Sequence, residues 1–392
     1  MAPIARLRDE SGHPFWSYGF RPFFLFGSLF ATAAMLVWLP AYYGEIAIPT
    51  AMAPRDWHAH EMIFGFLPAV VTGFLLTAIP NWTGRLPLQG RPLIGLVLVW
   101  LAGRLAISTS ATTSLTFAAV VDLAFLALVA AVTTREVVAG KNWRNLRIIA
   151  VVGLLLAGNV VFHAEVLHSG AADIGIRLGI AATIFLIALV GGRVVPSFTR
   201  NWLARENPGR LPSPFDRFDI ATLVVSACAL LLWTAIPEST ATGLLLALAG
   251  GLQSVRLLRW AGDRTWRDRL VLVLHIAYAF IPLGFFLAAA AAFGWLPASA
   301  GNHAWTTGAA GLMVLAIMSR ASLGHTGRSL VASRWVQSVY GMLIGAAILR
   351  ICAALDPSLT ALLPLAWLGW IGAFALFAAS YWRVLTGPRQ RA

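Results

Sequence analysis

Apolar runs of roughly twenty residues alternate with short polar links along the whole chain. Within each run the apolar positions are continuous, with neither the two-residue alternation of a half-buried strand nor a polar stripe. A helix of about 20 residues crosses the hydrocarbon core of a bilayer. A barrel strand would need only about ten, with strict alternation. Helices also satisfy their own backbone hydrogen bonds in lipid. Runs at 20–40, 58–80, 93–109, 114–134, 146–168, 174–196, 219–236, 241–260, 270–293, 303–320, 334–354 and 360–384 therefore predict an all-α, polytopic integral membrane protein with about twelve transmembrane helices. Pro68, Pro196 and Pro282 fall within or near span ends, where kinks are expected. The longest polar link, 197–218, carries three prolines and separates two sets of six spans. That plan suggests one transmembrane domain of two six-helix halves, about 1–200 and 215–392, joined by a cytoplasmic loop. No convincing sequence repeat relates the halves.

Composition agrees with this reading. Hydrophobic residues make up 59% of the 392 and charged residues only 11%, against roughly 25% charged in soluble domains. A soluble fold would expose large apolar patches. The formal charge of +13 would suggest nucleic acid in a soluble protein. Here the charge sits in short links, which points to topology and anionic membrane lipid and away from nucleic acid. All but four of the 29 basic residues, Arg6, Arg8 and Arg391 among them, fall on one side of the twelve spans. The four are Arg55, Arg104, Arg177 and Arg350. This asymmetry makes the basic side cytoplasmic, with both termini on it, and the other side periplasmic in a Gram-negative inner membrane. The N-terminal segment has no small-residue cleavage site of a signal peptide. Cys228 and Cys352 lie in separate runs, and the absence of C-x-x-C-H excludes covalent c-type haem.

Depth sorts the eight histidines. His13 and His325 are cytoplasmic, and His275 lies inside span nine. The other five gather at the periplasmic ends of three spans: His58 and His60 in WHAHEM, His163 and His168 in VFHAEVLH, and His303 in GNHAWTTG. Glu61 and Glu165 stand beside them. Imidazole is a ligand for haem iron, copper and zinc, so the five together predict a metal or haem site. For any single histidine, an interfacial hydrogen bond is an equal alternative. Regular helical spacing puts His58 and Glu61 on one face, and Glu165 with His168. Asn159, one turn before His163, is placed to orient it. His58 and His60 diverge on a helix: both can bind one centre only if the first turn is unwound, and otherwise they address different centres or one orients the other's ligand set. Small residues near His303 and below His58 (Ala304, Gly311, Gly65, Gly73) leave space for a flat macrocycle or, as the plainer reading, for close helix packing.

A second polar cluster lies at the cytoplasmic level: Arg21 in GFRPFFLF, Asn81 in IPNWTGR, Arg193 in GGRVVPSFTRN, and Arg320 and His325 in MSRASLGHTGR. It reads either as helix-end anchoring or as a surface for an anion, a quinol or haem propionates. Within the membrane, Arg104 and Asp122 lie on adjacent spans and read as a structural ion pair, with a proton path as the alternative.

GFRPFFL at 19–25, WHAHEM at 57–62, GFLLTAIPNWTG at 73–84, GGRVVPSFTRN at 191–201, His303 and RASLGHTGR at 320–328 together resemble the NnrS family, over nearly the whole chain. The resemblance implies a bacterial membrane protein of nitric oxide metabolism or tolerance that contains haem and copper. On that basis the expectation is a haem b protein, with copper or another second metal, that reduces nitric oxide to nitrous oxide. His58, His60, His163, His168 and His303 are the cofactor ligands expected, Glu61 and Glu165 the proton donors, and quinol or a periplasmic carrier the electron source. The alternative is a non-catalytic haem or copper protein that senses nitric oxide or confers tolerance. A transporter is disfavoured, because no broken helix pair occupies matching midplane positions.

Overall fold

The structure, a computed structural model, describes residues 12–390; Arg6, Arg8 and Arg391 of the basic asymmetry lie outside these. All regular structure among the described residues is helical, and twelve helices are long and apolar enough to cross a membrane. In chain order they are α1 (Phe20–Tyr42), α2 (Pro54–Thr83), α3 (Arg91–Ser108), α4 (Leu115–Ala139), α5 (Leu146–Ser169) and α6 (Ile174–Glu206). They continue with α7 (Arg217–Ala235), α8 (Thr240–Leu258), α9 (Arg269–Ala292), α10 (Ala298–His325), α11 (Arg334–Leu355) and α12 (Leu362–Thr386). Each predicted span corresponds to one of them.

Several boundaries differ by a few residues, and two of these differences move basic or candidate site residues. α6 runs ten residues beyond its predicted end at Pro196. Val195, Thr199 and Leu203 recur at helical spacing and are fully buried, so packing carries the helix past the proline. Arg200 and Arg205, expected in a link, therefore lie on α6. α10 begins five residues earlier than expected, which puts His303 at the end of a first helical turn and a half.

The chain forms two compact units. The first comprises Met1–Gly179, Ala321–Arg328 and Ala378–Ala392; the second comprises Ile180–Arg320 and Ser329–Phe377. Each contains one helix with the same irregularity. In the first unit, α2 opens with an α-helical stretch ending at His60 and passes into a π-helical turn over Glu61–Phe66. Pro68 follows two residues after Phe66, and a proline ring crowds the carbonyl four residues back in a regular helix. In the second unit, α10 opens with a short stretch ending at His303 and passes into a π-helical turn over Ala304–Gly311, with no proline inside to require it. Such turns are rare and occur often at functional sites.

Glycines bring neighbouring helices together. A Cβ on Gly175 of α6 would lie 2.4 Å from the Phe162 backbone of α5, and one on Gly301 of α10 would lie 2.9 Å from the Ala288 backbone of α9. Small residues at crossings are how membrane helices gain packing, since lipid offers no hydrophobic drive between them. α7 begins with a reciprocal cap: Asp216 accepts from the Phe218 and Asp219 amides, while the Asp219 carboxylate accepts from the Asp216 amide. The Arg259 guanidinium hydrogen-bonded to it holds the Asp216 carboxyl down at about 2. Because the folded value is depressed, this stabilisation is present at neutral pH and is lost only as pH falls toward 2.

Gly175→Ala should force α5 and α6 apart in a segment that has no slack. The expected cost is about 1–3 kcal/mol, the scale of an overpacked core, read as a lower Tm of the detergent-purified protein. An unchanged Tm would mean that the crossing is looser than its backbone distances indicate.

Candidate metal centre

Six side chains from four helices of the first unit form one network around the Asp122 carboxylate. His60 from α2 and His163 from α5 both point Nε2 at Asp122 Oδ2, at 3.1 Å and 3.0 Å. Asn159, one turn before His163, donates its amide to the same oxygen at 2.7 Å. Arg104 from α3 holds the other oxygen, Oδ1. The other ring nitrogen of His60, Nδ1, lies 3.1 Å from Glu61 Oε1, and Arg104 donates to that same oxygen at 2.7 Å. Arg104 therefore bridges both carboxylates. All of these groups are buried, His60 and Glu61 completely.

Local structure explains how they meet. Arg104 reaches Glu61 across Gly65, where a Cβ would fall 2.4 Å from its Nη1; the Gly65 carbonyl accepts from the Trp100 indole at 2.9 Å. Gly103, next to Arg104, lets α3 approach the Asp122 backbone. Phe162 and Phe64 pack beside the His60 ring, with centroids 5.0 Å and 5.7 Å away. Three buried charges, Arg104, Glu61 and Asp122, are costly in hydrocarbon unless paired, and Arg104 pairs with both carboxylates. The predicted Arg104–Asp122 ion pair is present, as one edge of a larger network.

The donor geometry suits a metal ion. Nε2 of His60, Nε2 of His163 and a carboxylate oxygen of Asp122 all lie within 4.8 Å of one another. Ligands at 2.0–2.1 Å around a tetrahedral ion are separated by about 3.3 Å, close to the distances observed. Two imidazoles and a carboxylate suit zinc, copper or iron. The carboxylate of Glu61 on the far nitrogen of His60 is the partner that fixes the tautomer of a metal-bound histidine. Four buried polar atoms of the cluster, His163 Nδ1, Glu61 Oε2, Asn159 Oδ1 and Arg104 Nε, have no hydrogen-bond partner in the protein. Such atoms call for a further group.

The other predicted residues fall elsewhere. His58 does diverge from His60 and stacks on Trp38 of α1, with centroids 4.2 Å apart. Glu61, three residues on, begins the π-helical turn and is fully buried against Arg104. Glu165 accepts from the Ile174 and Gly175 amides at 3.0 Å and 2.7 Å and so caps the start of α6. His168 is exposed in the last turn of α5. His303, in the second unit, donates its Nδ1 proton to the Ser299 carbonyl at 2.8 Å, which sets the tautomer of the ring. The glycines among the small residues make close helix contacts. The Gly65 position faces Arg104, Gly73 faces Phe23 and Phe24, and Gly311 faces Trp370. Of the second polar cluster, Arg21 and His325 lie in the first unit around Phe20, and Asn81 is exposed at the end of α2. Arg193 is exposed on α6, and Arg320 lies over Phe198 with Asp268 3.9 Å away, both in the second unit.

One network escaped sequence reasoning altogether. In the second unit, Arg256 is fully buried and bonds Asp219 at 2.8 Å, the Ala188 carbonyl and the Tyr278 hydroxyl. Tyr278 donates to Gln253, which donates to Ser226. In the sequence Arg256 counts only as one of the basic-side cations, near the end of its span; Gly192 makes room for its guanidinium. The Tyr278 hydroxyl donates to an amide rather than to a base, so we assign this network a packing role.

A sequence profile of the NnrS protein family matches residues 14–389. The chain belongs to the NnrS family. That membership ties this multi-pass membrane protein to nitric oxide and to haem and metal binding. A comparison with curated proteins finds no match.

Arg104→Met should leave two buried carboxylates without their shared cation, at a cost of roughly 3–5 kcal/mol. Adding Glu61→Gln to that variant should recover part of the loss. Thermal unfolding of the wild type and the single and double variants in detergent checks both steps; a double variant no better than the single would mean that Arg104 does not act on Glu61.

Proposed function

We propose that His60, His163 and Asp122 hold a divalent transition metal, and that this NnrS protein reduces nitric oxide to nitrous oxide. The reaction joins two nitric oxide molecules with two electrons and two protons to give nitrous oxide and water. The observation that carries the reading is the convergence of two imidazole Nε2 atoms on one buried carboxylate oxygen. A redox-active metal, with haem b, would supply the electron-accepting centre at which nitric oxide binds. The protein's own groups have distinct tasks. Asn159 and Arg104 hold Asp122 with one oxygen toward the imidazoles. Glu61 takes the Nδ1 proton of His60 in a hydrogen bond, which directs Nε2 to the metal. Glu61 is thus an orienting group first and the nearest carboxylate for proton delivery second, while Glu165 serves as a cap. The closed apolar surround suits nitric oxide, which is small, uncharged and soluble in lipid.

His58 and His303 remain as candidate haem ligands. His303 has the tautomer that ligation requires, fixed by the Ser299 carbonyl. Quinol from the bilayer or a periplasmic carrier would supply the electrons. The positive-inside asymmetry supports a bacterial inner-membrane location with both termini cytoplasmic and the His60 end of α2 periplasmic.

His60→Ala and His163→Ala should each lose one equivalent of metal by elemental analysis, and His13→Ala should lose none. Glu61→Gln should bind metal about 10–100-fold more weakly, the usual effect of removing such a partner. Full metal content in both histidine variants would rule out the centre. Retained metal with no anaerobic consumption of nitric oxide under any reductant would make the protein one of tolerance or sensing. Separately, reporter fusions after residues 90, 140 and 262 should read cytoplasmic, and those after 50, 111 and 170 periplasmic. Reversed readings would put the metal centre at the cytoplasmic level.

A further inference from the structure

We propose that Arg21 and Arg328 of the first unit form a binding site for a phosphate-class oxyanion, supplied by the headgroup of a membrane phospholipid. Arg21 is the second residue of α1 and only 3% exposed. Its Nη1 donates to the carbonyls of Leu385 and Gly387 at the end of α12, at 2.8 Å and 2.6 Å. Those bonds fix the guanidinium and leave its buried Nε without a partner. Arg328 lies close enough for the two like charges to act on each other, and its Nη1 is also buried without a partner. Among the described residues, no carboxylate pairs with either. Arg389 adds a third cation beside Gly327, its Cγ 3.6 Å from where a Cβ would stand.

Arginine cannot shed its proton to relieve such crowding. Two guanidiniums near each other, that of Arg21 buried and that of Arg328 half-buried, repel each other unless an anion lies between them. The helix carbonyls offset part of the Arg21 charge and none of that on Arg328. The planar N–H edges of arginine match phosphate oxygens. Around them, Phe20 lies under Arg21 at 5.6 Å and beside His325 at 5.6 Å, which gives the site an apolar wall. The source follows from depth. The start of α1 and the end of α12 are membrane-helix termini, the level at which lipid phosphates lie.

The test titrates detergent-purified protein with dihexanoyl-phosphatidylglycerol and, separately, with inorganic phosphate, following Tm. The lipid should raise Tm saturably. Arg328→Gln should weaken that response by about tenfold or more, the scale of one lost charge-assisted hydrogen bond. Arg21→Gln also loses the cap on α12, so Arg328→Gln is the deciding variant. A saturable, Arg328-dependent response to inorganic phosphate as well would support the oxyanion site with a soluble source. No saturable response to either, or one that Arg328→Gln leaves unchanged, would overturn the proposal.

Discussion

Arg104 is the charge on which the first unit depends. Two carboxylates, Glu61 and Asp122, are buried at membrane depth, and a single guanidinium touches both. A buried carboxylate without a partner is too costly to keep. The positions of both acids, and through them of His60 and His163, therefore follow from where that guanidinium lies. Its seat is made by absences: Gly65 has no side chain to block it, and Gly103 lets α3 close on Asp122. The chemistry of the centre is set by an arginine that would touch no metal.

The two units solve the same problem with similar parts. Each buries an arginine over a glycine, Arg104 over Gly65 and Arg256 over Gly192, and pairs it with an aspartate on a neighbouring helix. In the first unit the remaining partners are imidazoles, which can ligate. In the second they are Gln253, Ser226 and Tyr278, which satisfy one another's hydrogen bonds. The same device yields a candidate metal centre in one case and a packing hub in the other, and the side chains that complete it make the difference.

The sequence reveals depth well and azimuth poorly. Continuous apolar runs gave all twelve helices, and the positions of His60 and His163 along their spans correctly put both at one level. Depth alone could not separate them from Glu165 and His168, which share that level but face the α6 start and the surface. The π-helical turn over Glu61–Phe66 left no mark in the apolar pattern. Arg104 and Asp122 were read as a pair because they are charges in apolar runs. Counting along α3 and α4 would have put them at the level of His60. Arg256 was hidden by its place near a helix end, where a buried cation and a loop cation look alike.

The π-helical turn in α2 holds one more residue than an α-helical turn of the same rise. Everything beyond it is therefore rotated by about 100° relative to an uninterrupted helix. The lower part of α2, with Gly73 against Phe23 and Phe24 and Thr77 accepting from the Phe20 amide, is registered to α1 independently of the part that carries WHAH. Deleting a single residue within Glu61–Phe66 would let the helix close into regular turns with that lower register intact. The two histidines would swing about 100° from their present directions, so a molecule of nearly the same outline would lose the convergence on Asp122. In α2, length and aim are separately encoded, and one residue of surplus backbone carries the aim.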